Sequence, residues 1–314
     1  MKIVFMGTPD FAVPCLDILV KNGYDVVGVV TVPDKPAGRG QQMQQSPVKK
    51  YALEHNLKVL QPEKLKAPEF VEELRTLNAD LQIVVAFRML PEVVWNMPRL
   101  GTYNLHGSLL PDYRGAAPIN WAIINGEKES GVTSFKLKHE IDTGNVLFAE
   151  RVSLTENTTA GELHDKLMHV GAELMLKTVK AIESGDYELK EQVLTGESKH
   201  APKLFKETCK IDWSKDVTNI HNLIRGLSPY PAAWTEGTDS RGVAHSVKIF
   251  ISSKELAQHT LKYGTVVTDN NTYLKVACSN GYIYIHELQL AGKKRLKIQE
   301  LLRGFKFEEG FMFS

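Results

Sequence analysis

The chain has 314 residues, of which 43% are hydrophobic and 24% are charged. These proportions are ordinary for a folded globular protein, and they exclude a disordered chain, a collagen-like fibre and a mucin-like stalk. The 38 basic and 37 acidic side chains leave a formal net charge of +1, which by itself gives no sign of nucleic-acid binding. At roughly 150 residues per domain, the length predicts two domains.

The three cysteines, Cys15, Cys209 and Cys278, are far apart in the sequence. This spacing excludes a disulfide framework and a C-x-x-C metal knuckle, and it favours a reducing compartment. No apolar run reaches the ~20 residues that a membrane span requires, and the apolar run at residues 3–6 is too short for a signal peptide. We therefore expect a cytoplasmic protein without a membrane segment.

Strand and helix patterns alternate through the first part of the chain. Short apolar, β-branched runs predict buried strands at residues 3–6, 25–32, 58–60, 81–87 and 103–105. Apolar residues near helical spacing predict helices at residues 8–23, 46–56, 68–78 and 117–125. This alternation predicts an α/β fold of the Rossmann-like type, with a doubly wound, mostly parallel sheet covered by helices on both faces.

The pattern changes after Gly131. Two strands at 132–137 and 146–149, joined by a turn at 141–144, precede a long helix from about 159 to 184. A polar segment and then a short helix at 219–225 precede β-rich runs at 246–251, 264–268, 273–277 and 282–288, which predict a small barrel or sandwich. We therefore predict an α/β domain over 1–186, a linker over 187–205 and a β domain over 206–314.

The near-zero net charge conceals a difference between these two predicted domains. Residues 206–314 carry 15 basic and 11 acidic side chains, a charge of +4, and the rest of the chain carries −3. Within the basic part, Lys293, Lys294, Arg295 and Lys297 stand within five residues. Such a cluster is typical of a contact with a polyanion, and a solvated surface is the alternative.

The turn after the first predicted strand, at residues 7–12, holds a single glycine. A dinucleotide fingerprint needs three glycines, Pro9 lacks an amide hydrogen, and Asp10 would repel a phosphate. The sequence also lacks a Walker loop and the H-E-x-x-H and G-x-S-x-G motifs. We therefore expect a Rossmann-like fold without a dinucleotide and without a metal.

The densest group of chemically useful side chains lies at residues 104–111. Asn104 and His106 are two apart on a predicted strand, so they face the same side at its carboxyl end, where open parallel sheets bind ligands. An amide beside an imidazole suits a reaction that places negative charge on a carbonyl oxygen. A buried histidine bonded to the backbone, with an asparagine that forms a turn, is the structural alternative.

Asp142 lies in a predicted turn, in the sequence Asp-Thr-Gly. A carboxylate that met His106 would orient the imidazole and raise its basicity. An aspartate that caps its own turn is an equally good reading of this spacing.

Residues 33–47 show no periodic pattern. A loop of this length in a compact domain is usually functional or disordered. Lys35 and Arg39 within it are placed to reach phosphates, and a surface loop without a function is the alternative.

Taken together, these motifs resemble the folate-dependent formyltransferases. The resemblance rests on Asn104-x-His106, residues 108–111, the Asp142-Thr143-Gly144 turn and residues 113–119. Within this family, residues 7–12, 36–40, 211–213 and 229–234, together with Arg225, are similar to the members that act on methionyl-tRNA. The resemblance covers nearly the whole chain.

The resemblance implies transfer of the formyl group of 10-formyltetrahydrofolate to the α-amine of methionine on initiator methionyl-tRNA. It implies a catalytic trio of Asn104, His106 and Asp142. It implies folate binding by two stretches, Ser108, Leu109, Leu110 and Pro111, and Ala86, Phe87, Met89 and Leu90. It also implies an OB-like barrel as the second domain, with tRNA contacts at Lys35, Arg39, Lys293, Lys294 and Arg295. We expect a monomer.

Two features depart from the family pattern. Gln41 and Gln42 stand where the family often has further basic residues, so tRNA binding by the loop is expected to depend more on Lys35 and Arg39. Arg88 stands in a run that is more usually Tyr-Gly-apolar, and the sequence assigns it no role.

Two other functions compete with this interpretation. A formyltransferase for a small amine, such as glycinamide ribonucleotide or an amino-sugar nucleotide, would carry the same catalytic motif. The basic second domain and the loop at 36–40 argue against it, because a small substrate needs neither. A non-catalytic RNA-binding protein is the other alternative, and the intact Asn104, His106 and Asp142 argue against it.

Overall fold

The computed structural model describes residues 1–37, 42–194, 196–238 and 242–314. Its helices are α1 (Val13–Lys21), α2 (Pro47–Glu54), α3 (Pro68–Thr76), α4 (Glu92–Trp95), α5 (Pro118–Ile124), α6 (Ala160–Ser184), α7 (Val217–Leu227) and α8 (Ile298–Gly304). Its strands are β1 (Lys2–Gly7), β2 (Asp25–Val30), β3 (Lys35–Ala37), β4 (Gln42–Gln44), β5 (Val59–Leu60), β6 (Leu81–Val85), β7 (Thr102–His106), β8 (Arg114–Gly115), β9 (Glu129–Lys136), β10 (Val146–Ser153), β11 (His200–Ala201), β12 (Ala233–Thr238), β13 (Ala244–Leu256), β14 (Val266–Thr268), β15 (Leu274–Cys278), β16 (Gly281–Leu290), β17 (Leu296–Lys297) and β18 (Met312–Phe313). None of the described helices is both long and apolar enough to cross a membrane.

The chain divides into two compact units. The first comprises residues 1–115, 129–152 and 164–200, and the second comprises residues 116–128, 153–163 and 201–314. The units are interleaved along the sequence. The predicted domain limits of 1–186, 187–205 and 206–314 stay a prediction.

A seven-stranded sheet in the order β10-β9-β7-β6-β1-β2-β5 forms the centre of the first unit. Five of these strands pair in parallel, and β9 pairs antiparallel with β7. The central strand β6 is buried along its entire length, as expected of a strand covered on both faces. The prediction of a Rossmann-like, mostly parallel sheet is confirmed.

Helix α3 shows how the helices cover this sheet. It begins with Pro68 at its first position, where the missing N–H breaks no helical hydrogen bond. Its apolar side chains Phe70 and Leu74 lie in one buried cluster with Val4 and Val84 of the sheet. Burial of a side chain of this size contributes about 1.5–3 kcal/mol, so the amphipathic face of the helix determines how it packs.

The second unit is built on an antiparallel sheet in the order β14-β15-β16-β13-β12-β18, with β17 paired to β16. The two ends of this path meet, because Thr265 pairs with Met312 and the N–H of Phe313 donates to the Gly264 carbonyl at 2.8 Å. Gly264 has a φ of +86°, and a Cβ there would stand 2.0 Å from the Phe313 carbonyl oxygen. The predicted C-terminal β-barrel is confirmed, and its closure requires glycine at this position.

Helix α7 packs against the apolar interior of this barrel. Its first turn is capped by Asp216, whose carboxylate accepts the Asn219 N–H at 2.8 Å. Ile220, Ile224 and Leu227 lie in the barrel core cluster. The sequence therefore folds here as an amphipathic helix over a closed sheet.

Arg225 of α7 is 5% exposed and binds protein groups of its own unit. Its guanidinium donates to the carbonyl oxygens of Thr155 and Thr158, at 3.2 and 2.9 Å, and its Nε donates to Asn222 Oδ1 at 2.8 Å. Burial lowers the pKa of Arg225 from its ordinary value. This residue, part of the family resemblance, thus holds residues 153–163 against the barrel helix.

The segment at 33–47, predicted as a loop without a periodic pattern, contains two short strands. β3 and β4 pair antiparallel within it, with Lys35 opposite Gln44. Lys35 is exposed on β3. Arg39 and Gln41 lie outside the described residues.

Candidate active site

Asn104 and His106 project from β7, which lies between β6 and β9 in the first unit. Asn104 is paired with Val84 of β6 and Phe135 of β9, and alternation along the strand places it on the same face as His106. The intervening Leu105 is buried on the opposite face, where it contacts Gly171 of α6 so closely that a Cβ on that glycine would lie 2.6 Å away. Apolar packing on one face therefore directs the two polar side chains to the other.

The Asn104 side chain is half-buried. Across the described residues it has no hydrogen-bond partner in the protein. An amide in this position retains two N–H donors and one acceptor for a ligand.

His106 is 6% exposed, and its Nε2 lies 2.8 Å from the carbonyl oxygen of Tyr113. A carbonyl oxygen only accepts hydrogen bonds, so Nε2 carries a proton. The other ring nitrogen, Nδ1, faces the Asp142 carboxylate at 3.9 Å. The predicted alternative of a histidine bonded to the backbone is thus true of Nε2, while Nδ1 remains directed at the Asp142 carboxyl group.

Asp142 adopts a left-handed backbone conformation with a φ of +53°. Its Oδ2 accepts the backbone N–H of Gly115 at 3.1 Å and is the atom that faces His106. The structure therefore brings together two of the predicted catalytic side chains, and a distant backbone amide orients the carboxylate.

Gly144 explains why the Asp-Thr-Gly turn carries a glycine. A Cβ at this position would lie 1.7 Å from the carbonyl oxygen of Lys136, the last residue of β9. The N–H of Lys136 also donates to the Asn145 carbonyl at 2.9 Å. The turn is thereby pressed against β9. Because β9 pairs with β7, this contact fixes the distance from Asp142 to the strand that carries His106.

Gln192 contacts this turn and was missed by the sequence interpretation. Its side-chain amide donates to the carbonyl oxygens of Asp142 and Gly144, at 2.9 and 2.7 Å. Its oxygen accepts from Arg114 at 3.1 and 2.5 Å. The residue lies in the polar segment predicted as a linker, where no periodicity distinguished it from its neighbours.

The segment after β7 is held by β9. Ser108 is fully buried and its hydroxyl donates to the Asp112 carbonyl at 2.7 Å. Thr133 of β9 donates to the Ser108 carbonyl at 2.7 Å and accepts the Leu110 N–H at 3.1 Å. The Ser108 hydroxyl is therefore used within the protein, and the side chains at 109–111 are half-buried.

The second predicted folate stretch follows β6. Ala86 has a φ of +46°, and Met89 is 70% exposed. Leu90 is buried in the core of the first unit. Arg88 donates to the carbonyl oxygens of Glu63, at 2.8 Å, and Pro62. Arg88, which the sequence left without a role, thus holds the backbone at 62–63.

The basic residues of the second unit differ from one another. Lys293 and Lys294 are exposed and have no acidic partner among the described residues. Arg295 pairs with Glu287, with 2.6 Å between Nε and Oε2, and its guanidinium lies 4.3 Å from the centre of the Phe250 ring. Arg295 is therefore engaged within the barrel, whereas the two lysines are available to a polyanion.

The described residues include no group of three or more His, Cys, Asp or Glu side chains that could hold a metal ion.

Both parts of the chain match family models. Residues 1–179 match the model described as formyl transferase, and residues 203–306 match the formyl transferase C-terminal domain. The chain belongs to the formyl transferase family. The family predicted from the sequence motifs is confirmed.

Curated relatives resemble the chain over nearly its full length. A methionyl-tRNA formyltransferase of Bacteroides fragilis is 58% identical, and the alignment covers 99% of this chain and 97% of that relative. A methionyl-tRNA formyltransferase of Flavobacterium johnsoniae is 52% identical, with 98% of both chains covered.

Solved structures share the fold at low identity. The sugar 3N-formyl transferase WlaRD, solved in the presence of dTDP and 5-N-formyl-THF, has a TM-score of 0.66 at 22% identity and covers 94% of this chain and 99% of its own. HypX from Aquifex aeolicus, in complex with tetrahydrofolic acid, has a TM-score of 0.65 at 19% identity and covers 98% of this chain and 48% of its own. At these identities the likeness shows the fold alone.

Proposed function

We propose that this chain transfers the formyl group of 10-formyltetrahydrofolate to the α-amino group of methionine on initiator methionyl-tRNA. The observation that carries the proposal is the placement of Asn104, His106 and Asp142 at the carboxyl end of β7. The 58% identity to a methionyl-tRNA formyltransferase over nearly the full length supports the choice of acceptor.

The first step forms a bond between the methionine nitrogen and the formyl carbon, and the electron pair of the carbonyl bond moves to its oxygen. Asn104 donates a side-chain N–H to that oxygen. His106 donates through Nδ1, because Nε2 is already bound to the Tyr113 carbonyl. Donors placed where negative charge develops supply most of the rate acceleration in acyl transfers of this kind.

Asp142 has two tasks in this scheme. Its Oδ2 lies 3.9 Å from Nδ1 of His106 and is the partner of that nitrogen. It also accepts the proton that the attacking amine loses, directly or through a water molecule. The tetrahedral carbon then breaks its bond to the folate nitrogen, which takes up the proton that Asp142 accepted, and the oxygen returns to a carbonyl.

Residues 109–111 and 86–90 suit a flat, largely apolar ring system. Leu109, Leu110 and Pro111 are half-buried, and Met89 and Ala86 are exposed at the end of the neighbouring strand. The left-handed backbone at Ala86, with its φ of +46°, turns the chain after β6. We assign the formyl donor to these residues.

The tRNA is assigned to the basic side chains. Lys35, Lys293 and Lys294 are exposed, and residues 206–314 carry a charge of +4. Arg39 follows Lys35 four positions later in the sequence. Neutralisation of phosphates by such residues makes binding strong at low salt and weak at high salt. The proposal includes a monomeric enzyme that meets its tRNA in the cytoplasm.

The test is a formyl-transfer assay with 10-formyltetrahydrofolate and charged initiator tRNA. Glycinamide ribonucleotide and an amino-sugar nucleotide compete in equal amounts. We expect formylated methionyl-tRNA as the main product. A preference for either small amine would overturn the proposed acceptor and leave the formyl-transfer chemistry intact.

A further inference from the structure

We propose that Gln192 and Arg114 are positioning residues that hold Asp142 at its working distance from His106. The inference rests on the proposed function, because it assigns a task within the formyl-transfer site. Neither side chain contacts the imidazole in the structure; Gln192 reaches the backbone of the Asp142 turn, and Arg114 reaches Gln192.

Gln192 contacts the Asp142 turn twice. Its Nε2 donates one hydrogen bond to the Asp142 carbonyl at 2.9 Å and another to the Gly144 carbonyl at 2.7 Å. Both N–H groups of the amide are therefore used on one turn. Two bonds from one planar group fix the separation of these carbonyls and hence the direction in which Asp142 leaves the turn.

Arg114 determines the orientation of that amide. Arg114 donates from Nε and Nη2 to the Gln192 oxygen, at 3.1 and 2.5 Å. A guanidinium has only donors, so the oxygen of Gln192 must face it and the nitrogen must face the turn. Arg114 thereby excludes the flipped amide, which would present an oxygen to two carbonyl oxygens.

The short strand β8 acts on both the backbone and the carboxylate of Asp142. Arg114 acts on its backbone through Gln192, and the adjacent Gly115 donates its N–H to the carboxylate at 3.1 Å. Asp142 is held in a left-handed conformation that non-glycine residues seldom adopt. Without these contacts the turn is free to relax, and the carboxylate moves away from His106.

The expected effect follows from the sensitivity of reacting groups to position. A displacement of ~1 Å in a catalytic site reduces turnover on the order of 100-fold. We therefore expect Gln192→Glu to lower kcat by about 100-fold. The substitution keeps an oxygen towards Arg114 and preserves the size of the side chain, but it replaces the donor nitrogen with an oxygen. KM for the folate donor should change little.

The matched control is Glu191→Gln, an exposed neighbour whose side chain has no hydrogen bond to the turn among the described residues, unlike Gln192. It changes the charge by one unit on the same segment and should leave kcat and the melting temperature unchanged. Hydrogen exchange at residues 141–145 should accelerate in Gln192→Glu and remain unchanged in Glu191→Gln.

The decisive measurement is a double-mutant cycle. If Gln192 acts through Asp142, then Gln192→Glu adds no further loss, within about twofold, when the chain already carries Asp142→Asn. A similar loss in both backgrounds would show a general structural role and overturn the proposal.

A second substitution keeps the test valid if Gln192→Glu does not fold. Arg114→Lys retains the charge and removes the two-pronged donor, so it should lower kcat by a smaller factor and show the same dependence on Asp142. An effect of Arg114→Lys that is independent of Asp142 would overturn the proposal.

Failure of the two proposals can be told apart. A wild-type chain that formylates a different amine contradicts the proposed acceptor, and the cycle is then measured with that amine. A wild-type chain without formyl transfer to any acceptor overturns both the proposed function and the positioning role, whatever the hydrogen exchange shows.

Discussion

His106 Nε2 lies 2.8 Å from the carbonyl oxygen of Tyr113, and this contact determines which ring nitrogen faces the reaction. Tyr113 itself has a left-handed φ of +59°, so its carbonyl points where an extended chain would not direct it. Because Nε2 donates its hydrogen bond to the backbone, only Nδ1 can donate to negative charge that develops near Asp142. The backbone of residue 113 therefore performs the orienting task that the sequence suggested for the carboxylate.

Asn104→Ala and His106→Ala are expected to lower kcat by about 100- to 1,000-fold each, since each removes one donor to the developing oxyanion. Affinity for tetrahydrofolate, measured by fluorescence titration, should stay within several-fold of wild type because neither side chain lies in the folate stretches. His169→Ala, an exposed histidine on α6, is the control. Near-normal turnover in either active-site variant would eliminate its proposed role.

Gly144→Ala is expected to reduce turnover by about 100-fold or more, because the added methyl meets the Lys136 carbonyl oxygen and the turn must shift. Gly185→Ala is the comparison: its φ is +73°, and among the described residues no atom beyond its immediate chain surroundings lies within 4 Å of the added Cβ. It should cost roughly 1 kcal/mol of stability and leave kcat unchanged. Equal turnover in the two variants would contradict the role given to the turn.

Lys293→Ala and Lys294→Ala should each reduce the salt slope of tRNA binding by about one, as expected for loss of one phosphate contact. Arg295→Ala should change that slope less and lower the melting temperature, because its side chain is engaged with Glu287 and Phe250. Filter binding over a range of salt concentrations measures the slopes. If Arg295→Ala gave the largest change in slope, the distinction between the two exposed lysines and the engaged Arg295 would be wrong.

Asp269 is expected to make the stability of the barrel depend on pH in the acidic range. The Thr272 hydroxyl and N–H, with the N–H groups of Asn271 and Tyr273, hold the pKa of this carboxyl well below its usual range. A lowered pKa stabilises the folded state above the unfolded value of about 4, and the contribution is lost as the pH falls further. The gap in melting temperature between wild type and Asp269→Asn should therefore be full at neutral pH and shrink in acid. A difference in melting temperature that did not change with pH would show that the ionised Asp269 carboxylate is not its cause.

Local patterns predicted much of the fold. The β-branched run at 25–32 corresponds to β2, and the amphipathic pattern at 159–184 corresponds to α6. β12 was missed because Trp234 to Thr238 carries glycine and glutamate and directly follows a proline-rich stretch. α8 was missed because its seven residues are too few for helical periodicity to stand out. Both elements depend on packing against the barrel core, which the sequence does not display.

The candidate site was predicted in part. Asn104 and His106 could be placed together because residues two apart on a strand share a face. That Asp142 meets His106 depends on the antiparallel pairing of β9 with β7 and on a left-handed turn, so spacing left it open. Gln192 was beyond reach, because its contacts join residues 48 and 50 positions away in a stretch without periodicity.

The contact of Gly264 with Phe313 has a consequence for solubility. It pairs the first and last strands of the barrel path, so the backbone groups of those strands bind each other instead of facing solvent. Unpaired strand edges are templates for intermolecular β-pairing. A side chain at residue 264 that forced these strands apart would create two such edges at once. Such a substitution would then reduce the amount of soluble protein through aggregation as much as through lost stability, and this effect would grow with protein concentration.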